Sequence, residues 1–170
     1  MAVWTSDEPE FLLVQNLSVP LFYHWQILRE TLADLEKRQY HIVELNCDVP
    51  IETFHTDVST ALDFPDYYGR NMDALNDCLY DVGSGYYGPP KNATGLVVVL
   101  EHVDRCSYAD SLLNIFCYQS FYAALLGNRM LCLAEVDDDP DFHLTLGQID
   151  LPLGMWNTRQ FYDSRRHDNR

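Results

Sequence analysis

Basic residues are scarce in this chain. Eleven lysines and arginines stand against 26 aspartates and glutamates in 170 residues, a formal net charge of −15. A field of that sign repels RNA, DNA and anionic lipid at long range and draws in basic proteins. Acidic surfaces also serve solubility alone, so composition does not by itself choose between a basic partner and a well-solvated surface. Long apolar runs are missing too. None reaches the ~20 residues that span a bilayer. Met1 to Glu10 is acidic and lacks the basic-then-apolar order of a signal peptide, so the cytoplasm is the expected location. Cysteine is present without pattern. Cys47, Cys78, Cys106, Cys117 and Cys132 are odd in number, scattered, and free of any Cys-x-x-Cys pair. They are read as reduced, mostly buried small apolar residues, and no metal or cofactor is expected. Glu-x-x-His, Gly-x-Ser-x-Gly, P-loop and dinucleotide fingerprints are absent, as are internal repeats and low-complexity tracts.

Apolar residues make up 47% of the chain, enough for one well-buried domain over residues 1–170. Glu10 to Asn16 reads as a short strand. Beyond Pro20, an amphipathic helix is expected across Phe22 to Arg38, with Trp25, Leu28, Leu32 and Leu35 at helical spacing. Tyr40 to Asn46 reads as a strand and Ile51 to Leu62 as a helix, ended by the Phe64-Pro65 step because a residue before proline avoids helical angles. A further helix covers about Asn71 to Val82, followed by the turn-rich Gly83 to Pro90. Leu96 to Leu100 is unbroken and β-branched, the mark of a strand covered on both faces. Tyr108 to Leu126 reads as a long helix with Gly127 as its C-cap, and Met130 to Val136 as a second buried strand. Strands alternating with helices predict an α/β fold, a small parallel β-sheet with α-helices packed on it. Asp137-Asp138-Asp139 and Pro140 then break the pattern. A last strand is expected at Phe142 to Leu146, and fraying from Asp163 to Arg170.

The segment Phe64 to Val82 carries most of the chemistry. Asn71 is a good N-cap, with Asp73 in the first turn. Met72, Leu75, Leu79 and Val82 fall on one face and are expected to bury. Asp73, Asp77 and Asp81 follow at steps of four and stack in one line on the other. Like charges at that spacing repel by ~0.2–0.5 kcal/mol per pair. Asp81 also sits near the negative end of the helix dipole. A plain solvated acidic face is one reading. A row of carboxylates aligned to meet a row of cations is the other. Tyr67 and Tyr68, ahead of the row, resemble an interface hot spot more than ordinary surface, although one of the two is expected to be buried.

The run Phe64-Pro65-Asp66-Tyr67-Tyr68-Gly69-Arg70-Asn71-Met72-Asp73-Ala74-Leu75-Asn76-Asp77-Cys78-Leu79 resembles the most recognisable stretch of the barstar family. The likeness extends over a core of about 40–136, with an N-terminal strand-helix addition at 10–39 and a C-terminal extension at 137–170. What the resemblance implies is an inhibitor whose acidic helix enters the active site of a basic secreted ribonuclease. Asp73 and Asp77 would take the places of RNA phosphates, with Tyr67 and Asn71 as further contacts. Gly69, Asn76 and Asp81 complete the expected partner-binding set, and no catalytic residue is expected. Asn76 departs from the family's tryptophan at that position, and Gln119 to Ala124 offers no counterpart to a late acidic residue in the family's third helix. The loop Gly83 to Pro90 is longer and carries Tyr86 and Tyr87. These departures bear on which enzyme is bound.

Two other classes stand beside this reading. An enzyme could draw a general base from His24, His41, His55, His102, His143 or His167, and His102 follows Glu101 at a strand end, where sites of parallel sheets often lie. Metal-dependent hydrolysis through Asp73 and Asp77 would show as stabilisation by divalent cations. A barstar-like scaffold could also serve as an immunity or regulatory binding module for a partner that is not a ribonuclease.

Overall fold

The computed structural model describes residues 19–22, 25–136 and 154–156, the first and last of these as backbone only. The elements in chain order are β1 (Val19–Phe22), α1 (Trp25–Lys37), β2 (Tyr40–Asn46), α2 (Ile51–Ala61), α3 (Met72–Gly83), β3 (Gly95–Glu101), a 3-10 turn at Val103–Arg105, α4 (Ala109–Leu126), β4 (Met130–Glu135) and β5 (Gly154–Trp156). The strands form one sheet in the order β2-β3-β4-β1-β5, and every neighbouring pair is parallel.

β3 sits inside the sheet because its side chains leave it no face to show water. Leu96 to Leu100 are all buried. Leu96, Val98 and Leu100 join Met130, Cys132 and Ala134 of β4 under α2, α3 and α4. Val97 and Val99 join Leu131 and Leu133 on the opposite face, under Ile27, Leu28, Leu32 and Leu35 of α1. Alternate residues of one strand thus serve two cores, as the period of two requires. Full burial of each such side chain contributes ~1.5–3 kcal/mol, so the two-faced strands are a main source of stability. The ladder begins at Gly95 for a steric reason. A Cβ there would lie 2.5 Å from the Arg129 carbonyl oxygen and 2.8 Å from Cε1 of Tyr40.

The parallel α/β architecture matches the sequence reading, with boundary differences. The first helix begins at Trp25, and Val19–Phe22 is a strand lying between β4 and β5. Pro20 is the local reason, since a residue preceding proline is held in extended backbone. Trp25 is 62% exposed and lies off the apolar stripe, which Ile27 completes in its place. α2 ends at Ala61, ahead of the Phe64-Pro65 step, because Asp63 turns into the left-handed region at φ 55°. Gly127 closes α4 at φ 91° as expected, and the Asn128 N–H donates back to the Ala123 carbonyl at 2.9 Å. β5 was not anticipated. The strands expected at 10–16 and 142–146, the acidic run at 137–139 and the final eight residues lie outside the described residues. All five cysteines are free thiols, four buried and Cys117 half-buried.

Candidate protein-binding site

α3 takes its position from its two faces. Leu75, Leu79 and Val82 are buried in the core with the sheet, Met72 is half-buried beside them, and Cys78 is buried next to Tyr87. Gly83, its last residue, lets α4 approach closely: a Cβ there would lie 3.2 Å from Cβ of Ala123. With that face committed, Asp73 and Asp77 are exposed and Asp81 is half-exposed. Among the described residues none of the three pairs with a lysine, arginine or histidine. No basic residue occupies the last turn to offset Asp81. At Asp77 and Asp81 the row costs the isolated helix stability, and among the described residues no cation offsets that cost, while Asp73 in the first turn gains from the helix dipole.

The start of α3 is held by Asn71. Its backbone is extended (φ −141°), its Oδ1 accepts from the Ala74 N–H at 2.9 Å, and its Nδ2 donates to the Gly69 carbonyl at 3.3 Å. Asn71 therefore fixes the acidic row as well as standing beside it. Gly69 is crowded from the same side: a Cβ would meet Asn71 Nδ2 at 3.2 Å and Ala74 Cβ at 3.4 Å. Asn71→Ala is expected to lower unfolding free energy by about 1 kcal/mol, read from urea denaturation. No change in the midpoint would show that the cap contributes nothing.

The two tyrosines divide as expected. Tyr67 is 79% exposed. Tyr68 is half-buried, stacked edge-on to Phe64 with ring centroids 4.9 Å apart, and its hydroxyl meets Nδ1 of buried His55. Burial pushes the Tyr68 hydroxyl well above its ordinary value, so it stays protonated beside the His55 ring nitrogen. His55 is held below its usual range, first by burial and also by Arg70, with Glu52 opposing. The neutral ring is thus favoured in the fold. Its contribution is complete above the unfolded histidine value of ~6.5 and is lost as pH falls through the lower folded value. His55→Asn is expected to flatten the fall in unfolding midpoint between neutral and mildly acid pH. Parallel pH profiles for the two proteins would assign that fall to other groups.

His102 and Glu101 have structural roles. His102 adopts φ 57° and opens the 3-10 turn. Glu101 accepts from Arg29 of α1 at 3.1 Å, and Arg29 also bridges Glu44. Burial and the neighbouring Glu44 raise the Glu101 carboxyl, with Arg29 opposing. Among the described residues no three histidines, cysteines or carboxylates gather as a metal site. None of the described helices is long and apolar enough to cross a membrane.

The row is not flat surface along its whole length. From Asn76 onward it borders an open cleft of about 380 Å³ between α3 and α4. Asn76, Asp77 and Asp81 line it together with Tyr80, Tyr118, Gln119 and Tyr122. Asn76 accepts from Gln119 Nε2 at 2.8 Å and so ties the two helices at the cleft floor. Asp73, Tyr67 and Gly69 lie outside the cleft. Sequence reasoning found the three carboxylates and missed the four α3 and α4 residues opposite them. The available signal was the i, i+4 spacing of Tyr118 and Tyr122.

Comparison with known proteins gives three findings. Residues 40–116 match the family model described as Barstar (barnase inhibitor). The matched span runs from β2 into α4 and includes the whole acidic row. A Bacillus subtilis (strain 168) protein named "Putative ribonuclease inhibitor YrdF" is 43% identical over 70 residues, 38% of this chain and 67% of that protein. Among solved structures, a chain from the structure of Drosophila ORC bound to DNA aligns at 16% identity with a TM-score of 0.48, covering 93% of this chain and 79% of that one. That likeness is too low to carry an argument.

Proposed function

This chain belongs to the barstar family, and on that premise we propose that it inhibits a basic ribonuclease by seating α3 in the enzyme's active site. The observation that carries the reading is the outward row of Asp73 and Asp77, which pairs with no cation among the described residues. Enzymes that cleave RNA gather lysine, arginine or histidine at the scissile phosphate. A carboxylate held there accepts the same hydrogen bonds, ideally bidentate from arginine. In this reading Asp73 and Asp77 stand in for phosphates and Asp81 extends the contact. Asn71 and Gly69 set the approach, and exposed Tyr67 packs at the rim and excludes water. The chain acts as an inhibitor and not as an enzyme, in the cytoplasm. Between Glu44 and Asp110 twelve acidic and three basic residues leave a local charge of −9, which steers a basic partner into place.

The test begins with the basic protein that co-purifies with the tagged chain in its own organism. Its RNA cleavage should fall to background at one equivalent of inhibitor. Its association rate should fall at least about tenfold as salt rises through the physiological range. A co-purifying protein without nuclease activity would instead support a second reading, an immunity or regulatory module for a different partner. Asn76 in place of the family's tryptophan favours that alternative, since it changes the centre of the contact surface.

A further inference from the structure

We propose that Cys47 and Cys106 form an oxidisable dithiol, a modification site at which a small disulfide converts two free thiols into one intramolecular bridge. The two residues are far apart in the chain, and the sheet brings them together. Cys47 follows β2, and Cys106 follows the 3-10 turn beyond β3, so both stand at the C-terminal edge of the parallel sheet. Three contacts hold their segments side by side. The Cys47 N–H donates to the Glu101 carbonyl at 2.9 Å and extends the β2–β3 ladder by one bond. Asp48 pairs with Arg105 at 3.7 Å. The Tyr108 hydroxyl donates to the Val49 carbonyl at 3.1 Å. With the backbones so placed, the two thiols are hydrogen-bonded to each other. Both residues lie in connections between elements, where the small backbone adjustment of bridging costs least. Cys78, Cys117 and Cys132 sit within α3, α4 and β4, where regular hydrogen bonding fixes the backbone.

The two sulfurs differ in role. Cys106 is 9% exposed against 1% for Cys47, so an oxidant reaches it first. Its thiol is held below the ordinary range, first by the hydrogen bond to Cys47, with burial opposing and Tyr108 adding to the fall. A thiol of that kind supplies the attacking thiolate. Cys47 is raised by the same hydrogen bond and by burial, which suits the thiol that acts second. The Cys106 thiolate attacks one sulfur of the small disulfide. A mixed disulfide forms and the first small thiol leaves. Cys47 then gives up its proton and attacks the Cys106 sulfur, expelling the second small thiol. Two cysteine thiols are oxidised, one small disulfide is reduced, and the two protons leave on its two thiols. The bridge closes a loop that contains α2, α3 and β3, and so restricts the unfolded chain. It acts as a lock set by oxidation, whatever partner the chain binds.

The test incubates the full chain in glutathione buffers of rising disulfide-to-thiol ratio. The reaction is quenched with acid, and the cysteines are mapped by alkylation and mass spectrometry. Two of the five thiols should be lost, with one linked peptide pair joining Cys47 and Cys106. The yield should not depend on protein concentration, because the bridge is intramolecular. The oxidised chain should unfold at least about 5 °C higher than the reduced one, and dithiothreitol should reverse the shift. Cys106→Ser should abolish both the linked pair and the shift. Cys117→Ser should keep both. The wild-type map decides the case without either variant. The proposal is overturned by a link between any other pair, by glutathione adducts that never resolve into a bridge, or by an oxidised chain no more stable than the reduced one.

Discussion

Replacing Asp77 with alanine is expected to raise the Kd for the ribonuclease by roughly 30-fold to several thousand-fold, the equivalent of ~2–5 kcal/mol for truncating one partner of a desolvated charge pair. That range draws in part on complexes of this family's relatives, so it is carried over from them. Asp77 occupies the middle of the row, exposed, with the cleft on one side and Asp73 one turn away. The inhibitor reading makes it the carboxylate most fully shut off from water in the proposed complex. The free chain should not suffer. Asp77 pairs with no cation among the described residues, and its removal relieves two like-charge contacts worth ~0.2–0.5 kcal/mol each. Unfolding midpoints should therefore hold or rise slightly while affinity collapses. Alanine at Asp137, Asp138 or Asp139 should cost far less affinity. Equal and small losses at Asp77 and at the 137–139 run, measured by inhibition kinetics, would refute the acidic-row mechanism.

The conflict between the aspartate row and helix stability is legible in the residues themselves. A helix under selection for stability alone has no reason to repeat aspartate at 73, 77 and 81, or to leave its last turn without a cation. The sheet was legible for a related reason. Leu96 to Leu100 and Met130 to Val136 carry apolar side chains on both sides, and only a covered strand tolerates that. Legibility failed where a local signal was weak or the decisive contact was remote. Trp25 looked like the start of an apolar stripe, yet Ile27 is the buried residue and Trp25 faces water. α4 is apolar almost all round, so periodicity could not say that Tyr118 is exposed while neighbouring Gln119 is buried. The cleft depends on α3 and α4 meeting at Gly83 and Ala123, about 40 positions apart in the chain, and no local pattern encodes that approach.

Leu79→Ala is expected to do the converse of Asp77→Ala. Leu79 is fully buried on the inner face of the same helix, in the core shared by α2, α3, α4 and one face of the sheet. Truncation removes its transfer free energy and leaves a cavity in that core. The expected loss is ~2–5 kcal/mol, a large share of the ~5–15 kcal/mol typical of a domain. Read by urea denaturation, the midpoint should fall steeply with the slope unchanged. Under conditions where the variant remains folded, its Kd should shift by less than about tenfold, because the outward carboxylates and the Asn71 cap that places them are intact. A Leu79→Ala chain that stays folded but loses affinity as severely as Asp77→Ala would mean that the packing of α3, and not its charges, governs recognition. Binding would then depend on the rigidity of the helix more than on its row of aspartates.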